Sequence, residues 1–118
     1  MKTFEELIEE FVTNATNSKK PFDYSNKKEV KEHNKFVINY REIAKKINDN
    51  YQTRIDDFVK LLRQDTIKTC CAVCIIEIIN CEDKYKQMAI RAIEDFVATS
   101  DDKASVEGFK IYLKGINK

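Results

Sequence analysis

The chain has 118 residues with 2 Gly, 1 Pro and no Trp; 42% of it is hydrophobic and 35% charged. That length holds one domain of ordinary globular size and excludes a two-domain enzyme. Twenty-one basic against 20 acidic groups leave a formal net charge of +1, so bulk attraction to nucleic acid or an anionic membrane is not implied.

The longest apolar run, Cys70 to Ile76, is seven residues, against the roughly 20 needed to span a bilayer. No membrane crossing is expected. The N-terminus, Met1-Lys2-Thr3-Phe4-Glu5-Glu6, meets four glutamates by Glu10 and lacks the apolar core of a secretory signal, so the cytoplasm is the expected compartment. Both glycines lie late, at Gly108 and Gly115. Glycine-rich phosphate loops are therefore absent, and a β fold with many tight turns is disfavoured. The expected class is all-α.

Thr3 with Glu6 spells a capping box, and Phe4, Leu7, Ile8, Phe11, Val12 and Ala15 repeat at helical spacing. The polar run Thr16 to Lys20 with Pro21 ends this first helix, and a loop reaches to about Ser25. From Asn26 the stripe Val30, His33, Val37, Tyr40, Ala44, Ile47, Tyr51, widened by Phe36 and Ile43, predicts a second helix of roughly 20 residues or slightly more. Asn48-Asp49-Asn50 is its expected break. A third helix carries Ile55, Phe58, Val59 and Leu62, and Gln64-Asp65-Thr66 supplies a stop and a fresh N-cap.

Ile67 to Ile79 differs, because its apolar residues cover nearly the whole helix circumference, so this fourth helix is expected at the centre of the core. After a turn at Asn80 to Asp83, a fifth helix presents Tyr85, Met88, Ala89, Ala92, Ile93, Phe96 and Val97. Thr99 to Asp102 caps a sixth, with Val106, Phe109, Tyr112, Leu113 and Ile116, and Gly115 stands where it would release the chain. Helices three to six read as two hairpins of a length suited to HEAT or armadillo repeats, though geometry also allows a bundle. The expected organisation is one α-helical domain over 1–118, with N-terminal helices over 1–51 and stacked antiparallel hairpins over 52–118.

Several segments resemble a bacterial domain-of-unknown-function family, number two thousand nineteen, whose members form short armadillo-like helical stacks. The resemblance is carried by Phe11, the Lys28 to Lys35 segment, Phe58-Val59-Lys60-Leu61-Leu62, Thr66-Ile67-Lys68, Ala72, Ala89 to Phe96, and Leu113-Lys114. The chain departs at Ile116, where the family commonly ends in tryptophan, and at Cys71-Ala72, where paired alanines are usual. Both exchanges keep the position apolar. The resemblance implies a helical stack and brings no catalytic residues.

Cys70, Cys71, Cys74 and Cys81 fall within twelve residues. On one helix Cys71 is turned about 100 degrees from Cys70, so a single metal does not collect three of these thiols. They read as small hydrophobes among isoleucines. Cys71 and Cys74 spell CxxC without the exposed helix start that redox chemistry uses. Cys81, on a turn, is the thiol expected to be most reactive. His33 is the only histidine, on the apolar stripe, with Glu29 and Glu32 as its sequence neighbours. No GxSxG, HExxH or paired DxD motif is present, so catalysis has no constellation to rest on and no cofactor is expected.

Charge is distributed unevenly. Residues 1 to 18 hold one Lys against four Glu, residues 19 to 46 hold nine basic against four acidic groups, and the remainder sums to minus one. Lys19, Lys20, Lys27, Lys28, Lys31 and Lys35 form a candidate basic patch beside Tyr24 and Phe36. Phosphate binding is feasible there, but no arginine precedes Arg41, and a solvated lysine face is the simpler account. The function expected is a non-enzymatic helical-repeat-like domain that binds another protein, in a specific form an immunity or regulatory partner. The alternative is nucleic-acid binding through Lys19 to Lys46. Self-association through apolar end faces of the stack is also allowed.

Overall fold

Thr3 opens the first helix in the way its spacing to Glu6 predicts: Thr3 Oγ1 accepts from the Glu6 N–H at 3.1 Å, and Glu6 Oε1 accepts from the Thr3 N–H at 3.2 Å. In the computed structural model, which describes residues 2–116, the termini of the expected domain lie outside the described residues. Among the described residues the chain is all-α: six α-helices, two 3-10 turns and no strand. These are α1 (Phe4–Ser18), α2 (Lys27–Asn50), a turn at Gln52–Arg54, α3 (Ile55–Val59), a turn at Lys60–Arg63, α4 (Lys68–Glu77), α5 (Asp83–Thr99) and α6 (Lys103–Ile116). None is long and apolar enough to cross a membrane.

The second helix starts where expected, with Asn26 Oδ1 accepting from the Lys28 and Glu29 amides at 3.0 and 3.3 Å. It runs 24 residues, through the Asn48-Asp49-Asn50 segment, before Tyr51 closes it with an N–H to the Ile47 carbonyl. The third helix departs from expectation. Its apolar residues are buried, but the backbone alternates 3-10, α and 3-10 geometry over Gln52–Arg63. Leu61 lies buried in the second 3-10 turn while Leu62 is half-buried. A tighter winding lets neighbouring residues reach the core from a stretch too short for a full amphipathic helix.

The fourth helix is also shorter than its apolar run. Thr66 does not cap it: Ile67 takes that place without any side-chain bond, held by burial at 1% exposure. At the other end Ile78 and Ile79 leave the helix, both amides sharing the Cys74 carbonyl. As its apolar circumference predicts, Cys70, Cys71, Ala72, Cys74 and Ile75 are all buried. The long partner of α4 is α5, on which α6 packs in turn, while α1 packs on α2; α4 meets the preceding segment through the Lys60–Arg63 turn. The cysteine helix is thus shared between both halves of the chain and not confined to a hairpin with α3.

Buried residues from α1, α2, α3, α4 and α5 form one continuous hydrophobic cluster. At its centre the Phe11 ring, fully buried, meets Tyr40 and Phe58 edge-on at 5.5 and 5.0 Å. Ser18 and Thr69 are the buried polar side chains among the described residues, and they join α1 to α4: Ser18 Oγ donates to the Ala15 carbonyl beside Cys70, and Thr69 Oγ1 accepts from Lys19. Asp102 caps α6, accepting from the Ser105 amide and hydroxyl. Gly115 lies inside α6, without a positive φ, one residue before the last described residue.

The radius of gyration is 14.3 Å, slightly above the roughly 13.5 Å of a compact domain of this length. Lys27 to Asn39 of α2 contains no buried residue, and neither does α6.

Candidate functional site

The N-terminal half of α2 carries a shallow, open apolar groove. Lys27, Lys31 and Lys35 follow at four-residue steps and therefore line one face. With Tyr24, Val30, Asn34 and Ile38 they bound a groove of about 530 Å³. Tyr24 is 83% and Ile38 56% exposed, although both are large and apolar. Lysine stems add carbon to the groove walls while their ammonium groups stay in water.

The six-lysine patch is divided by the fold. Lys19 bends back, its Nζ donating to Thr69 Oγ1 at 2.9 Å. Lys20 lines a neighbouring pocket, and Lys28, although exposed, does not line the groove. Three of the six lysines therefore share the surface. Ile38 is the groove residue that the hydrophobic pattern passes over, because it stands beside Val37 and off the buried stripe. Its signal in the sequence is its helical spacing from Lys31, Asn34 and Lys35, which places it on their face.

The neighbouring pocket, about 170 Å³, holds His33. Phe22 stacks on its ring at 4.3 Å and 18° and tilts against Tyr24 at 4.5 Å. Glu29 and Glu32 line the same pocket, yet His33 Nδ1 is buried with no hydrogen-bond partner among the described residues. An imidazole used for proton transfer is normally oriented through its second nitrogen. Here ring stacking places it, which suits a packing role that anchors Pro21 to Ser25 against α2.

Burial favours the neutral form of three thiols, Cys71, Cys74 and Cys81. Burial raises the Cys71 pKa well above the ordinary thiol value, with smaller pushes from Cys74 and Cys70, and Cys71 Sγ donates to the Phe58 carbonyl at 3.6 Å. Burial likewise pushes the Cys74 thiol up to about 12. The Tyr40 phenol, buried beside Cys70 and Cys74, is raised as well. Cys81 is half-buried; desolvation raises its pKa, and the nearby Lys86 charge does not reverse that direction. At these three positions the thiolate, the reactive form, is disfavoured. Among the described residues no three His, Cys, Asp or Glu side chains gather to hold a metal.

Glu77 ties three helices together. It accepts from Arg41 Nη2 of α2 and from the Tyr112 hydroxyl of α6, both at 2.8 Å. Burial pushes its carboxyl up, but those two hydrogen bonds and the guanidinium charge outweigh it, so its pKa lies below the ordinary 4.5. A carboxyl depressed on folding stabilises the protein above its unfolded pKa, and the contribution is lost as pH falls through the folded value. Glu77→Gln is therefore expected to lower stability at pH 7, by about 1 kcal/mol for so exposed a pair. The difference from wild type should close as pH drops below 4.5. Urea titrations at pH 7, 5 and 3 check this, and a gap that widens on acidification refutes the assignment.

No family model, no curated protein and no solved structure matches the chain.

Proposed function

We propose that the chain is a non-enzymatic protein-interaction domain and that it receives its partner along the α2 groove. The observation that carries this reading is the exposure of Tyr24 and Ile38, 83% and 56%, on one open, shallow face flanked by lysine stems. Two large apolar side chains in one open groove lower the free energy when another surface covers them. The resemblance to short armadillo-like stacks points the same way, since such stacks act through grooves. In its specific form the partner is a toxin or enzyme held inactive in a cytoplasmic setting.

The rival reading is nucleic-acid binding through Lys27, Lys31 and Lys35, which stand one helical turn apart and could follow a phosphate backbone. A photo-crosslinking amino acid in place of Ile38, with a control at exposed Glu94, separates the two in the source cell. The expected result is an ultraviolet-dependent protein adduct of discrete mass from position 38 and none from position 94. Adducts with nucleic acid support the rival, and no adduct at position 38 overturns the groove reading.

A further inference from the structure

We infer that the occupant of the α2 groove is an acidic amphipathic helix of a partner protein, an assignment that rests on the groove reading above. From Lys27 to Ile38 the groove follows eleven helical steps, about 17 Å or three turns at 1.5 Å per residue. Lys27, Lys31 and Lys35 repeat once per turn along it, roughly 6 Å apart. A helix laid alongside repeats its own side chains with the same period, so carboxylates at i, i+4 and i+8 meet the three ammonium groups in register. Tyr24 and Ile38 bracket the two ends and Val30 lies between them, which calls for apolar residues on the adjoining stripe of that helix.

The other occupants fit less well. A symmetric pair of copies sets lysine row against lysine row, and like charges at this spacing repel. A head-to-tail copy can offer the acidic outer side of α1, but there Glu6 and Glu9 are joined by Thr13 and Asn14, with no apolar side chain to cover Ile38. The exposed Ile111 of a second copy sits on α6, whose Lys103, Lys110 and Lys114 outnumber Glu107. A bilayer takes a helix with a broad, continuous apolar face, whereas here Val30 and Ile38 stand singly among Lys27, Lys31, Asn34 and Lys35. A phosphate backbone leaves the apolar lining uncovered and finds no arginine in the groove.

Selection from a displayed library of random peptides of about 16 residues, long enough to fill three turns, tests the inference without presupposing a sequence. Enrichment of sequences with apolar residues at helical spacing and carboxylates repeating every three or four positions is expected. In fluorescence anisotropy the enriched peptides should bind the wild-type chain at least about tenfold more tightly than the triple variant K27E/K31E/K35E, and also more tightly than I38D. Lys27, Lys31, Lys35 and Ile38 are all exposed, so circular dichroism melting of both variants should match wild type. Swapping Glu for Lys in the peptide should abolish binding to wild type and restore it to the triple variant. The inference is overturned by enrichment of neutral or basic peptides, by failure to enrich any, or by binding that ignores the substitutions. Co-sedimentation with phosphatidylserine vesicles, or binding of a DNA duplex, that exceeds peptide binding and needs the same lysines overturns it too. Protein adducts at position 38 without acidic-helix binding leave the groove reading standing and remove this assignment alone.

Discussion

Phe11→Ala is expected to lower the free energy of unfolding by about 3–5 kcal/mol, the range for truncating a fully buried aromatic ring. The ring is 0% exposed and meets Tyr40 of α2 and Phe58 of α3 edge-on. Its loss opens a cavity where three elements meet and removes two edge-to-face contacts as well. Against a total stability of about 5–15 kcal/mol this is a large fraction. The melting temperature should fall by about 10–20 °C. In urea the midpoint should move while the slope stays near wild type, since the surface exposed on unfolding hardly changes. A loss below about 1 kcal/mol would mean that α1 does not dock through this ring. Phe11→Leu, which keeps most of the volume, should lie between the two.

The second large effect concerns how the cysteine helix ends. Glycine in a left-handed conformation commonly closes a helix, but the first 107 residues contain none, and the described residues show no positive φ. The last carbonyls of α4 need another donor. Lys86 of α5 supplies it, with Nζ donating to the Ile75, Ile76 and Ile79 carbonyls at 2.9, 3.2 and 2.9 Å. An ammonium has three N–H donors, so all three are used, and its charge opposes the negative end of the helix dipole. Lys86→Met keeps the stem and removes the donors; it is expected to cost about 2–3 kcal/mol, because three part-buried carbonyls lose a charged partner. Amide exchange at Ile78 and Ile79, whose N–H groups bond to Cys74, should speed up more than exchange in α1. Lys86→Arg should rescue only in part, since a planar guanidinium does not present three donors to one converging set of carbonyls. Equal stability of Lys86→Met and wild type would refute this cap.

The groove carries different consequences from the core. Lys27, Lys31, Lys35 and Ile38 lie on a part of α2 with no buried residue, so substitutions there should alter binding and leave folding intact. Phe11 and Lys86 behave oppositely. A variant that loses binding can thus be sorted by its melting curve into one that lost its surface and one that lost its fold.

Local pattern determined several helix starts. Thr3 with Glu6, Asn26 before its lysines and Asp102 before Ser105 are caps made by side chains two or three residues from the amides they bind, and such bonds can be read from spacing alone. The all-α class and the burial of the cysteine helix followed from a scarcity of glycine and an apolar circumference, both properties of the chain as a string. The end of α4 and the Glu77 junction were decided by partners on other helices: Lys86 of α5 for the helix end, and Arg41 with Tyr112 for the carboxylate. The candidate groove shows the same division. Its lysines were legible as a charged run, whereas the turning back of Lys19 onto Thr69 arises only when α1 packs against α4. Spacing encodes which side chains share one helix face, but which helices pack together depends on where separate segments come to rest.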